Sequence, residues 1–342
     1  MGVTIKDIAK KTGLSITTIS LVLNKKESRI SEKTRQIIEN AAQEMNYSPN
    51  QAAVSLSTKK SNLIALVAPR SAFYFFADLV SSVERACRNA GYGLSISLPE
   101  GDKDSCIEAI QEMLRRGVDG IIFDPSNLSN DFYQAYMDMI LKSETSIISL
   151  AGSGAHLLSN SVIPDHKQGG YLAASHLLAL GHRKIGFIAG PGECHAVSDL
   201  LRGIEEALEE FHLDPDDLPV LFGANSAAFG YENISALLKA GDESRGLTGI
   251  IAGSDSIAAG VLRRAFESGI LVPKQLSVIG YGNSSLSVEY QVSLTTVSIH
   301  YDRIARKAVN LIKKLNQNGP AVTPELVSPS LIIRGSTAAL WT

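Results

Sequence analysis

The residues best equipped for covalent chemistry are scattered along this 342-residue chain. Cys194 and His195 are merely adjacent, and His166 and His176 lie ten apart on a helical pattern, which is not ligand spacing on one helix face. Cys87, Cys106 and Cys194 form neither an even set nor a close pair, so they read as reduced thiols rather than a disulfide framework or zinc site. The chain has no GxxxxGKS/T loop, GxSxG elbow, HExxH pair or CxxC. Its Ala189-Gly190-Pro191-Gly192 turn lacks the third glycine of a dinucleotide fingerprint. No catalytic set, cofactor or metal is therefore expected. A different chemistry is implied by Ser15-Ile16-Thr17-Thr18-Ile19-Ser20-Leu21, where Ile16, Thr17 and Leu21 point away from the face that holds Ile19, Val22 and Leu23. Outward Ile16 and Leu21 expose apolar area for no gain in water, but in a DNA major groove they can pack on thymine methyl groups.

Presenting those side chains to a groove takes a particular scaffold. Thr4-Ile5-Lys6-Asp7 has capping-box form, and Ile5, Ile8 and Ala9 recur at helical spacing until Gly13. Ser15 caps a second helix that ends at Asn24. After a polar loop from Lys25 to Arg29, Ser31 caps a longer helix carrying Ile37, Ile38, Ala41, Ala42 and Met45. Two short helices joined by a glycine turn and braced by a third make a helix-turn-helix domain, whose second helix offers its N-terminal residues to base edges. A plain three-helix bundle is the alternative reading.

Charge is distributed to match. Residues 1–60 carry ten Lys/Arg against five Asp/Glu, while the remainder carries 22 against 30. A basic head on an acidic body suits a polyanion at one end only. The length predicts two or three domains, and the 44% hydrophobic and 20% charged content is ordinary for a globular chain. Neither an export signal nor an apolar run of membrane-spanning length is seen, so the chain is expected in the cytoplasm with no membrane partner.

From Asn62 onward, short apolar runs alternate with helical patterns. Leu63–Val67, Leu94–Leu98, Gly120–Phe123 and Ser146–Leu150 read as strands, with helices near 76–90, 105–116 and 131–142. A second series has strands at Ile185–Ala189, Pro219–Phe222, Gly249–Ala252 and Ser277–Gly280, with helices near 168–180, 197–211, 229–240 and 255–269. Such alternation predicts two α/β lobes, each a doubly wound parallel sheet covered by helices.

VTIKDIAKKTGLSITTISLVLN and RISEKTRQIIENAAQEMNYSPNQAA resemble the headpiece and hinge of the lactose repressor family of bacterial transcription regulators. The likeness continues through GVDGIIF, HLLALGHRKIGFIAGP, SDSIAAGVLRRAFESGI, LSVIGY, SLTTV and SLIIRGST. It implies an N-terminal helix-turn-helix domain over 1–47 and a hinge over 48–61, in which residues 50–58 fold on DNA with Leu56 wedged into the minor groove. Beyond the hinge it implies a periplasmic-binding-protein-like core. The N-terminal lobe would comprise 62–163 and 293–325, and the C-terminal lobe 164–292 and 326–342. Three strands near 162–164, 291–294 and 324–327 would cross between them.

The implied DNA contacts are Thr4, Ser15, Ile16, Thr17, Thr18, Ser20, Leu21, Asn24, Ser28, Arg29, Ser31, Tyr47, Asn50, Ala53 and Leu56. Leu21 departs from the family, whose members often carry an arginine or another polar base reader there. The implied activity is that of a repressor, bound as a homodimer to a palindromic double-stranded operator and controlled by a small effector between the lobes. A solute-binding protein, or a ligand-modifying enzyme with a fused headpiece, is the rival class.

The resemblance places Phe75, Phe76, Ser126, Asp165, Cys194, Ala196, Leu200, Asn225, Ser254, Gly282 and Asn283 at the effector cleft. Phe75 and Phe76 could stack on a ligand or belong to the core, and Asp165 could face ligand or stitch the lobes. Leu200 stands where relatives often carry a ligand-binding arginine, Gly282 where they carry aspartate, and Ala151 in place of another aspartate. Ser254-Asp255 replaces an Asn-Asp pair. Losing several polar partners together leaves little to hold a sugar ring, so either the effector is expected to be something other than a simple unmodified sugar, or the pocket is degenerate and another signal controls the protein.

Overall fold

The computed structural model describes residues 3–23, 29–47, 60–69, 73–100, 102–125, 136, 139, 143–150, 160–192, 194–240, 246–317, 319 and 323–340, with the backbone alone at 73–76, 239 and 240. Asn24, Ser28, Asn50, Ala53, Leu56, Ser126, Ala151, most of the hinge and, save Tyr136 and Met139, the helix expected over 131–142 lie outside the described residues. So do the side chains of Phe75 and Phe76. The chain divides into two units, Met1–Asn62 and Leu63–Thr342.

In the first unit, α1 (Ile5–Thr12), α2 (Ile16–Leu23) and α3 (Glu32–Glu44) enclose Ile8, Ile19, Val22, Ile38, Ala41 and Ala42. Each start is fixed by a side chain. The Asp7 carboxylate accepts the Thr4 backbone N–H at 2.8 Å and its hydroxyl at 2.7 Å. Ser15 Oγ accepts the Thr18 N–H at 3.1 Å, and Ser31 Oγ accepts the Thr34 N–H at 3.2 Å, supplying acceptors to amides that the helix leaves unpaired. Lys11 and Glu44 join α1 to α3 at 2.5 Å. Ile37, expected beside Ile38 in the core, is 44% exposed, because neighbours on a helix point about 100° apart and only one of the two can face inward.

The second unit has two lobes. β1 (Leu63–Val67), β2 (Gly93–Ser97), β3 (Gly120–Phe123) and β4 (Ser146–Ser149) form a parallel sheet ordered β2-β1-β3-β4, with α4 (Phe73–Ala90) and α5 (Lys103–Arg115) connecting its strands. β5 (Val162–Pro164) leaves this lobe and pairs in parallel with β11 (Glu325–Val327). The other lobe alternates α6 (His166–Ala179), β6 (Ile185–Ile188), α7 (His195–Glu210), β7 (Val220–Leu221), α8 (Ala227–Ala240), β8 (Gly249–Ala252), α9 (Asp255–Glu267) and β9 (Ser277–Gly282). With β10 (Thr295–Ser298) and β12 (Ser330–Ile332) the sheet order is β12-β10-β9-β8-β6-β7.

Two details correct the expectation. β12 pairs antiparallel with β10, giving the parallel sheet an antiparallel edge. Thr295–Ser298 pairs with β9, so the chain returns to the first lobe after Ser298 rather than over 291–294. There α10 (Tyr301–Leu315) packs on α4, and Asn316 at its end donates to the Asp119 carbonyl and accepts from Ser146 Oγ, both at 2.8 Å.

The second lobe repeats one packing unit. Where α6 meets α7, a Cβ on Gly203 would overlap the Lys167 carbonyl oxygen and lie 2.7 Å from Tyr171 N. Where α8 meets α9, a Cβ on Gly260 would overlap the Ala227 carbonyl oxygen and lie 2.7 Å from Tyr231 N. In each pair a tyrosine then bonds a glutamate on the facing helix, Tyr171 to Glu210 and Tyr231 to Glu267, both at 2.5 Å. The two helix pairs hold the segments that open toward the strands' carboxyl ends.

Candidate functional site

The helix-turn-helix surface is built from the start of α2. Because Ile19 and Val22 are drawn into the core, the helix turns Ile16, 49% exposed, and Thr17 to solvent at its N-terminal end. Leu21 is half-buried rather than fully outward, although it is not among the side chains packed on the headpiece core. Thr18 shares a 2.7 Å hydroxyl contact with Ser15, and Ser20 is half-buried. Thr4, Arg29 and Ser31 are exposed, the last with its hydroxyl engaged in capping, whereas Tyr47 packs partly on the core and burial raises its phenol pKa.

In the core unit, chain segments converge where strands end. Asp124 follows β3, Asp165 follows β5, Gly190 follows β6 by two residues, Ser254 follows β8 and Asn283 follows β9. Three of these lead into helix N-termini. Asp165 Oδ1 accepts the Gln168 N–H at 2.9 Å to start α6, Cys194 occupies the cap position of α7, and Ser254 Oγ accepts the Ile257 N–H at 3.2 Å to start α9. Open α/β sheets hold ligands at such strand ends.

Several expected cleft residues are committed elsewhere. Leu200 is 3% exposed and lies in the core with Val197 and Ile204, so it does not line a cleft; an apolar residue on that helix face is drawn inward. Ser254 is fully buried, and its hydroxyl donates to Asn225 Oδ1 at 2.5 Å. Asn283, at a φ of 53°, has its side-chain oxygen taken by Arg334 Nη2 at 2.6 Å. Gly282 is buried at a φ of 120°, where a side chain would be strained. Asp165, Cys194, Ala196 and Asn225 are half-buried, and burial raises the Cys194 thiol pKa, with the Asp124 and Asp199 charges acting in the same direction.

The structure adds groups that spacing alone did not single out. Tyr281 hydroxyl and His166 Nδ1 lie 2.7 Å apart; desolvation lowers the histidine to about 4 and raises the phenol well above its ordinary range. Asp199 is raised by burial despite its ion pair with Arg202, and the Asp165 charge adds to the rise. Tyr301 is held protonated by burial, reinforced by Asp255, Asp124 and Asp78, carboxylates from both lobes. Asp255 is buried and accepts from Thr296 Oγ1 at 2.6 Å and Ser284 N–H at 2.5 Å, so this half of the Ser254-Asp255 pair braces the fold. The signal available in sequence was position: Tyr281 lies in a strand and His166, Asp255 and Tyr301 begin helices, whereas Asp199, inside α7, carries no such mark. Among the described residues no group of three His, Cys, Asp or Glu side chains is arranged to hold a metal, and no helix is long and apolar enough to cross a membrane.

Comparison with known proteins accounts for both units. Residues 4–50 match the family described as bacterial regulatory proteins, lacI family, and residues 174–337 match the periplasmic binding protein-like domain. The transcriptional regulator DegA of Bacillus subtilis is 33% identical over all of both chains. The transcriptional repressor PurR of Haemophilus influenzae is 31% identical over 98% of this chain and 99% of its own. The crystal structure of the lac repressor dimer bound to operator and the anti-inducer ONPF superposes with a TM-score of 0.86 at 28% identity, covering 99% of this chain and 100% of that one. A lacI-family regulator from Enterococcus faecium with bound ribose covers 82% of this chain and 100% of its own at a TM-score of 0.69 and 26% identity. These relatives are regulators rather than enzymes, and with a headpiece and sensor core matched from end to end, the chain belongs to the lacI family of bacterial regulatory proteins as a DNA-binding transcription regulator.

Proposed function

We propose that the protein represses transcription as a homodimer seated on a near-palindromic operator, with a small effector between the lobes setting its affinity for DNA. The observation that carries this reading is the solvent-facing Ile16 and Thr17 at the capped N-terminal end of α2. Apolar side chains held there by the scaffold gain a partner in thymine methyl groups, and the basic first 60 residues gain one in phosphate. Thr4, Ser15, Thr18, Ser20, Arg29, Ser31 and Tyr47 would complete the headpiece contacts, with Leu56 and its neighbours supplying the hinge.

One headpiece covers a single half-site, so two copies on a two-fold site double the contact. The α4 face and the second lobe both offer surface for pairing. Phe266 is 64% exposed beside a groove of about 430 Å³ lined by Leu262, Leu271 and Tyr290. The lac repressor in the operator-bound structure is likewise a dimer. Acting on genomic DNA places the protein in the cytoplasm. Domain limits of 1–47 for the reader and 48–61 for the hinge fit this scheme, with the first lobe resuming after Ser298.

Selection of bound duplexes from a random pool is the deciding experiment. Inverted repeats of one half-site should be enriched, and a pool that stays random after repeated rounds would reject the proposal.

The effector is something other than a simple sugar, because the side chains that would grip hydroxyls are absent or engaged: Leu200 is in the core, Ser254 holds Asn225 and Asn283 is held by Arg334. Asp165, Cys194, Ala196, Phe75, Phe76 and Ser126 are the proposed contacts. Calorimetric titration with common hexoses and pentoses should give no micromolar binding; one such sugar bound at that strength would refute the assignment.

A further inference from the structure

The segment after β9 is gripped from both lobes. Ser284 and Ser285 are consecutive, and their backbone amides go to carboxylates on opposite sides. The Ser284 N–H donates to Asp255 Oδ2 at 2.5 Å, and the Ser285 N–H donates to Asp78 Oδ2 at 2.9 Å. Asp255 begins α9 in the second lobe, whereas Asp78 lies on α4 in the first.

The two grips are unequal. On the second-lobe side, Arg334 donates to Asn283 Oδ1 at 2.6 Å, to Ser287 Oγ at 3.2 Å and to the Leu294 carbonyl at 2.7 Å. Asn283 N–H also donates to Thr296 Oγ1 at 3.2 Å, and that hydroxyl donates to Asp255. The segment therefore moves with the second lobe as a ledge, and separating the lobes here breaks the Asp78 bond before any of these others. That bond is of a strong kind, since an amide paired with a carboxylate is charge-assisted. Ser285 also opens the short 3-10 turn Ser285–Val288, whose first amide has no acceptor within the turn.

We propose that the Asp78 carboxylate and the Ser285 amide form a latch between the lobes, biasing the core toward the arrangement seen here. An effector then shifts an equilibrium that the chain's own residues have already weighted. Only this last step rests on the regulator reading; the latch itself is a property of the core.

The test removes each half of the bond in the full-length protein, without DNA or ligand. Asp78→Ala deletes the acceptor and Ser285→Pro deletes the donor. Proline fits the first position of a helical turn, and Ser284, at φ −62° and ψ 155°, already has the extended conformation that precedes one. Both variants should melt as one folded protein and give a larger radius of gyration by small-angle scattering. Amide exchange in peptides covering 284–288 should be about tenfold faster. The double variant should match either single one, because both remove the same bond. Wild-type scattering and exchange in both variants, an effect confined to one of them, or additive effects in the double variant would overturn the latch. If one variant fails to fold, the other decides by the same two readouts. Failure to select any DNA sequence would strike the regulator reading alone, because neither readout involves DNA.

Discussion

Gly203→Ala and Gly260→Ala should each destabilise the protein by about 3 kcal/mol, although alanine is the better helix former by about 1 kcal/mol. The sign follows from what a methyl group would meet. At Gly203 it overlaps the Lys167 carbonyl oxygen and crowds Tyr171 N, and at Gly260 it overlaps the Ala227 carbonyl oxygen and crowds Tyr231 N. These neighbours are backbone atoms of the facing helix, so no rotamer change relieves the overlap and the helices must separate. Separation strains the Tyr171–Glu210 or Tyr231–Glu267 bond and opens the apolar layer beneath, which includes Leu177, Ile204 and Ala207 in the first pair. Denaturant unfolding at neutral pH measures the loss. A change smaller than about 0.5 kcal/mol in either variant, or a gain, would show that the pairs are not packed through their glycines. Because Asp165 and Cys194, two proposed effector contacts, sit at the N-termini of α6 and α7, the Gly203 variant should also disturb them, whereas the Gly260 variant disturbs Ser254 and Asp255.

These glycine contacts also mark the limit of what was legible in the sequence. Local signals transferred well: Thr4 with Asp7, Ser15 and Ser31 name their own helix starts, and apolar runs such as Gly120–Phe123 and Gly249–Ala252 mark strands whose faces are both covered. What did not transfer was set by distant partners. Leu200 was placed in the cleft by register with relatives, yet an aliphatic side chain on the inner face of α7 is drawn to the core. The C-terminal lobe keeps Thr295–Ser298 because that strand adds to β9, a pairing that no local pattern specifies. α10 lacks a capping side chain and begins after His300 in a left-handed conformation, so its start carries no familiar mark. Ser254 and Asn283 have the polar character of ligand contacts, and only the positions of Asn225 and Arg334 show that they are already paired.

His166, whose spacing from His176 gives no metal-ligand pair, is an acid-sensitive point at the start of α6. Desolvation of the imidazole lowers its pKa from an ordinary 6.5 to about 4, outweighing the opposite pull of Asp165 next to it. The unfolded chain then binds a proton that the folded chain refuses between these two values. Stability from this group is complete above about pH 6.5 and declines as the pH falls toward 4. Relative to a His166→Gln variant, the wild type should lose about 2 kcal/mol between pH 7 and about pH 5, approaching 3 near pH 4. His176 and His182 are also lowered by burial and weaken the fold in acid, but they are present in both proteins and cancel in the difference. Parallel stability curves for wild type and variant across that range would show that His166 titrates as an exposed imidazole. The predicted divergence carries a functional consequence: protonation charges a ring 2.7 Å from the Tyr281 hydroxyl, at the helix start capped by Asp165, a proposed effector contact, so effector affinity should change over the same pH range.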